Sequence, residues 1–191
     1  MKAAVTNTVD WLIQKNATNV LLEIGNEVDL ENVWAHSIID AKRCHELVEL
    51  AQARSGKKIL VSTSLIGMAT PPAPIVAACD FLLPHGNRVH GPEGHFQPAP
   101  HGIRLQVANW RASPAYRGQP IVYNEDDHFE FDKPDNHFVA AVESGASWGY
   151  FDYRMSRERF EDGFQSLPVD WTISSKRKRA FFGLLKEITG S

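Results

Sequence analysis

Long hydrophobic runs are missing from this 191-residue chain, and cysteine is scarce. No segment approaches the roughly 18 consecutive apolar residues of a membrane span, and residues 1–15 lack the apolar centre of a signal peptide. The two cysteines, Cys44 and Cys79, are too few for a disulfide framework or a thiolate-rich metal site, so we expect packed thiols. With 43% apolar residues, the chain is predicted to be one soluble domain, residues 1–191, whose native compartment the sequence leaves open.

Positive charge is also not in excess. The formal net charge is −3, which argues against a large nucleic-acid footprint, and the basic run at residues 176–179 is interpreted as the solvated face of a last helix. The chain has no glycine-rich phosphate loop and no His-Glu-x-x-His pair, and Ser62 and Ser64 lack the turn chemistry of a nucleophile elbow. Nucleotide binding and serine-nucleophile chemistry are therefore disfavoured, and we expect no cofactor.

What the sequence does contain is a regular alternation of strand-like and helix-like segments. Short β-rich runs alternate with segments whose apolar residues recur at helical spacing. The β-rich runs lie at residues 20–24, 58–62, 80–84, 120–123 and 147–151, and the helical segments at 5–13, 32–54, 75–78, 102–116, 136–143 and 176–188. Such alternation predicts a parallel sheet, either doubly wound or part of a barrel, and periodicity does not choose between the two.

Polar residues follow several of these predicted strands. Asn26 and Glu27 come after the first, His85 after the third, and Glu125 after the fourth. Because the carboxyl ends of parallel strands meet at one edge, we expect Glu27 and Glu125 to lie close together. Two such carboxylates are what cleavage of a glycosidic bond needs, since one protonates the leaving oxygen and the other attacks the anomeric carbon or activates water.

Residues 21–27, Leu-Leu-Glu-Ile-Gly-Asn-Glu, resemble the fourth barrel strand of the clan A glycoside hydrolases, which include the cellulase-like family five enzymes. The resemblance implies the C-terminal portion of a (β/α)8 TIM barrel, approximately strands four to eight. It also implies retaining hydrolysis of a β-linked saccharide. In that family pattern Glu27 is the acid/base, Asn26 binds the sugar 2-hydroxyl, and Glu125 is the nucleophile at the end of the seventh strand.

The same resemblance extends to two further residues. His85 is similar to the His or Tyr that clan members place beside the nucleophile, and Trp148 is similar to the aromatic residue that stacks on the sugar ring. The sequence departs from the family in two ways. Residues 124–127 are more acidic than the usual surroundings of the nucleophile, and strands one to three have no counterpart, including the Arg that normally holds the nucleophile.

The missing strands leave a second hypothesis open, because a complete barrel usually needs about 250 residues. In that hypothesis the chain is an inactive half-barrel that binds carbohydrate weakly or associates with a partner chain, including self-association through open sheet edges. A metal site is disfavoured because no pair of candidate ligands has compact helical spacing, and we predict none. Its candidate ligands are His90, Glu93, His95, His101, Asp126, Asp127 and His128.

Overall fold

The computed structural model describes residues 1–30, 32–66, 70–87, 100–128, 130–151, 173 and 176–190. In these ranges the chain forms six helices and six short strands. The helices are α1 Lys2–Gln14, α2 His45–Ser55, α3 Ala73–Ala78, α4 Pro100–Arg111, α5 His137–Glu143 and α6 Lys176–Thr189. The strands are β1 Leu21–Glu23, β2 Leu60–Ser62, β3 Ser64–Leu65, β4 Leu83–Pro84, β5 Val122–Tyr123 and β6 Ser147–Trp148.

The predicted partial (β/α)8 barrel is wrong. The described strands form three two-stranded parallel sheets, β1 with β2, β3 with β4, and β5 with β6, in a small mixed α/β domain. A single parallel bridge between Leu82 and Ile121 links the second and third pairs. Alternating apolar runs specify where strands form and favour parallel pairing, but a barrel section also needs continuous ladders between neighbouring strands. Here each ladder is two or three residues long, and Thr63 separates β2 from β3.

Each of the five β-rich runs contains a strand, so these predictions are confirmed. The helix predicted over residues 32–54 is wrong in its first half, because α2 begins at His45. Asn32 has a left-handed φ of 59°, which a continuing helix does not allow, and residues 33–44 form turns and bends instead. Ile39 is nevertheless buried. The apolar residues before His45 are therefore explained by a loop that packs onto the core and not by a helix.

The core begins where α1 packs on α2. Val5, Val9 and Leu12 recur on one face of α1 and are buried, as are Leu47 and Val48 in α2. Gly56 ends α2 in a left-handed conformation, with φ of 59°. One hydrophobic cluster includes residues from α1 through α6.

The two cysteines are free and buried, which confirms the prediction of packed thiols. Burial raises the pKa of the Cys79 thiol to about 11. The predicted last helix is also confirmed: in α6, Phe181 is buried, while Lys176 and Arg179 are exposed. Within the described part of the chain, no helix has both the length and the apolar character required to cross a membrane.

Candidate active site

The backbone after β1 stays hydrogen-bonded to the chain that carries β2 and β3. The Ile24 N–H donates to the Ser62 carbonyl at 2.9 Å, and the Ser64 N–H donates to the Gly25 carbonyl at 3.1 Å. The Val28 N–H then donates to the Ser64 carbonyl at 3.1 Å. The segment that carries Glu27 is therefore fixed beside β3.

Glu27 has an unusual backbone conformation. Its φ is 47°, in the left-handed region that disfavours residues with a Cβ, and its N–H donates to Ser64 Oγ at 2.8 Å. A conformation of this kind costs about 1–3 kcal/mol and persists where surrounding contacts determine it, frequently at functional sites. The Glu27 side chain is 12% exposed.

His85 lies between the two glutamates. The backbone N–H of His85 donates to the Leu65 carbonyl at 3.0 Å, which continues the pairing of β3 with β4. The His85 Nδ1 atom is 2.9 Å from Glu27 Oε1 and 3.8 Å from Glu125 Oε2. One carboxylate oxygen of each glutamate and one His85 ring nitrogen all lie within 4.8 Å of one another. The structure thus brings Glu27, His85 and Glu125 together, as the sequence predicted.

Asn87 is a site residue that the sequence prediction did not include. Its Nδ2 donates to Glu125 Oε1 at 2.7 Å, and the Glu125 side chain is 23% exposed. The sequence feature that could have indicated Asn87 is its position in the polar triplet His85-Gly86-Asn87, just after a predicted strand. That signal does not say which partner Asn87 binds, because the partner lies on another strand.

The other two predicted binding residues lie in different surroundings. Asn26 is exposed beside Glu27, where it can reach a ligand. Trp148 is 7% exposed, and its ring packs against Phe131, Phe138 and Phe181 with centroid separations of 5.6–5.7 Å. The structure therefore places the indole within an aromatic cluster. Its predicted stacking on a sugar stays a prediction.

Next to Glu125, the carboxylate of Asp126 is fully buried and accepts hydrogen bonds on both oxygens. Oδ1 accepts from the His128 N–H at 3.1 Å and from His128 Nδ1 at 2.6 Å. Oδ2 accepts from His137 Nδ1 at 2.8 Å and from Trp148 Nε1 at 3.0 Å. We call Asp126, His128, His137 and Trp148 the Asp126 cluster.

The Asp126 cluster stabilises the charged form of the carboxylate. Burial by itself would raise the pKa of Asp126, but the hydrogen bonds from His128 and His137 outweigh it and hold this pKa at about 2. For His128, burial opposes the charge, while the hydrogen bond to Asp126 favours it; the net effect is a raised pKa. The hydrogen bond between them therefore favours the carboxylate form of Asp126 and the imidazolium form of His128.

We expect the free energy of unfolding to fall by about 2 kcal/mol when the pH drops from about 4 to about 2. Asp126 has a lowered pKa in the folded state, so its stabilisation is present above the ordinary aspartate pKa and is lost as the pH falls through about 2. Urea unfolding at several pH values measures this. In Asp126→Asn the free energy of unfolding should fall less between about pH 4 and about pH 2. A fall as large as the parent's in that variant would contradict the account.

Among the residues that the structure describes, two groups of side chains have ligand atoms close enough to hold a metal ion: Glu27, His85 and Glu125, and Asp126, His128 and His137. In the group around Asp126, both carboxylate oxygens already accept hydrogen bonds from N–H donors. One of these donors is the Trp148 indole N–H, which is not a metal ligand. Of the metal-ligand candidates considered in the sequence, His101 is exposed on α4, while His90, Glu93 and His95 lie outside the described residues.

A cavity of about 520 Å³ lies elsewhere, between α5, α6 and residues 131–134. Its apolar lining includes Val139, Val142, Leu184 and Ile188. None of the predicted site residues contributes to it. The chemistry-bearing side chains are therefore separate from this cavity.

A scan against protein-family models found no match for this chain, and a search of curated proteins found none either. The function is therefore inferred from the residues of the site.

Proposed function

We propose that this protein is a retaining glycoside hydrolase that cleaves O-glycosidic bonds of a β-linked saccharide, with Glu27 as acid/base and Glu125 as nucleophile. The observation that carries the proposal is the approach of their carboxylate oxygens to within 4.8 Å across His85. Retaining enzymes separate their two carboxyl groups by about 5–5.5 Å, whereas inverting enzymes leave about 6.5–9.5 Å for a water molecule. Here one oxygen of each carboxylate lies within 4.8 Å of the other, and this close approach is compatible with the shorter, retaining arrangement.

The hydrogen-bond partners support the assignment of roles. Glu125 accepts an N–H from Asn87, and this hydrogen bond holds the carboxylate of the proposed nucleophile in place. Glu27 instead contacts His85 Nδ1, which either donates or accepts a proton depending on its tautomer. That partner suits a group that alternates between acid and base.

In the first step the Glu125 carboxylate attacks the anomeric carbon, the glycosidic C–O bond breaks, and Glu27 gives its proton to the leaving oxygen. In the second step Glu27 takes a proton from water, the water oxygen attacks the anomeric carbon, and the bond to Glu125 breaks. In this proposal Asn26, which is exposed beside Glu27, binds the sugar 2-hydroxyl. The steps require no cofactor.

A second candidate function uses the same three side chains. Glu27, His85 and Glu125 present two carboxylates and one imidazole with ligand atoms within 4.8 Å, a set that suits a divalent cation such as Mn²⁺ or Zn²⁺. A bound cation would activate water directly and would make hydrolysis metal-dependent. In this candidate the glutamates are ligands and form no covalent intermediate.

Hydrolysis of a panel of aryl β-glycosides, followed by proton NMR of the first-formed sugar, tests the proposal. We expect the β-anomer to appear first and the activity to survive prior treatment with EDTA. An α-anomer would contradict the retaining mechanism, and activity that depends on added Mn²⁺ or Zn²⁺ would favour the metal candidate. Failure to cleave any member of the panel would contradict the proposal and favour the inactive, carbohydrate-binding or self-associating alternative.

A further inference from the structure

We propose that Asp126 is a positioning residue for Glu125, and that its buried carboxylate holds the segment carrying Glu125 against the chain after β4. The inference rests on the proposed function only for the role given to Glu125. Its structural part concerns contacts that exist whether or not the protein cleaves glycosides.

The first observation is the completeness of the Asp126 cluster. Asp126 is fully buried, and its two oxygens accept N–H groups from His128, His137 and Trp148. These partners come from the loop after β5, from α5 and from β6. A buried carboxylate with donors on three segments cannot move without leaving several of them unpaired, which is costly in a dry interior.

The second observation is a shared contact with Gly86. A Cβ at Gly86 would lie 2.2 Å from Asp126 Oδ2, so the carboxylate occupies the space that a side chain would take. The Gly86 N–H donates to the Glu125 carbonyl at 2.8 Å. Asp126 and Glu125 therefore contact the same glycine, one through its side chain and the other through its backbone.

The neighbours of Gly86 connect this contact to the reacting groups. His85 precedes it and lies between the two glutamates, and Asn87 follows it and donates to Glu125 Oε1. A shift of Asp126 away from Gly86 would therefore change the distances from Glu125 to both His85 and Asn87. Misplacement of a reacting group by about 1 Å can cost about 10²-fold in rate.

The test compares the parent chain with Asp126→Asn and with Asp132→Asn, a control that removes an exposed carboxylate from the following turn. Amide hydrogen exchange is measured by NMR at Gly86 and, as a remote reference, at Leu47 in α2. In Asp126→Asn we expect Gly86 to exchange about tenfold faster or more relative to Leu47, the size expected when hydrogen bonds to a charged group are weakened. The kcat on aryl β-glycosides should fall by about 10²-fold with KM within about twofold. Asp132→Asn should change neither.

Trp148→Phe provides a second variant in case Asp126→Asn does not fold, because it keeps an aromatic ring and removes one N–H donor to Asp126. We expect the same local increase in exchange at Gly86, but a smaller one. Gly86 exchange that stays equal to the parent's, relative to Leu47, in the variants that fold would overturn the inference. If the parent cleaves no glycoside, the proposed function fails, but the exchange at Gly86 still decides whether Asp126 holds this segment.

Discussion

Replacement of Glu125 by glutamine is expected to reduce kcat on activated aryl β-glycosides by at least about 10³-fold, because a neutral amide cannot attack the anomeric carbon. Replacement of Glu27 by glutamine should cost about 10²–10⁴-fold, the usual contribution of a general acid/base. The kcat/KM of the Glu27 variant should fall most on substrates with poor leaving groups, which need a proton from the acid. It should fall least on dinitrophenyl glycosides, whose first step needs no acid, although their kcat still falls because the second step needs Glu27 as base.

A matched control is Glu49→Gln, which changes an exposed glutamate on α2. We expect its kcat and KM to equal those of the parent. The dependence on leaving group separates the two catalytic roles, so steady-state kinetics on a series of substituted phenyl glycosides is the measurement. Equal losses for Glu27→Gln on good and poor leaving groups would contradict its role as the acid.

Replacement of Gly86 by alanine is expected to lower the free energy of unfolding by about 3 kcal/mol or more. The new Cβ would lie 2.2 Å from Asp126 Oδ2 and 2.4 Å from Asp126 Cγ, which is far inside van der Waals contact. Overpacking of a tight interior costs about 1–3 kcal/mol, and displacement of a buried, hydrogen-bonded carboxylate adds to that cost. Urea denaturation gives the difference.

Gly183→Ala offers the same chemical change at a position where an added Cβ meets no atom within 4 Å. Gly183 lies within α6, so alanine there should be neutral or should stabilise by about 0.5–1 kcal/mol. A Gly86→Ala protein as stable as the parent would show that the Asp126 carboxylate does not occupy the position described.

The positions of the strands and the convergence of the site residues could be predicted from the sequence. A run such as residues 20–24 has the β-branched and apolar residues of a strand, and parallel pairing brings the strand ends together. That reasoning predicted that Glu27 and Glu125 would lie close together, as they do. His85 was placed beside Glu125 only by the resemblance, and its Nδ1 atom lies nearer Glu27. The prediction failed for the barrel, because the extent and continuity of each ladder depend on contacts between distant segments that apolar periodicity does not encode.

The Asp126 cluster could not be predicted for a related reason. In the sequence, Asp126 and Asp127 indicate only an unusually acidic segment next to Glu125. In the structure, His137 at the start of α5 and Trp148 in β6 both donate to Asp126, so its charge is stabilised by neighbours from other elements. A short motif indicates which side chains could take part in a site. The partners His137 and Trp148, 11 and 22 residues away from Asp126, are determined by the packing of α5 and β6.

The most direct test of the two-glutamate mechanism is to trap Glu125 as a glycosyl ester. The protein is incubated with 2,4-dinitrophenyl 2-deoxy-2-fluoro-β-glycosides matching the sugars it cleaves, and intact mass is followed by peptide mapping. The mechanism predicts a mass increase of one fluorosugar, located on Glu125, with release of dinitrophenolate and no labelling of Glu125→Gln. A label on any other residue, or turnover of the parent with no covalent adduct and no inactivation, would contradict the mechanism.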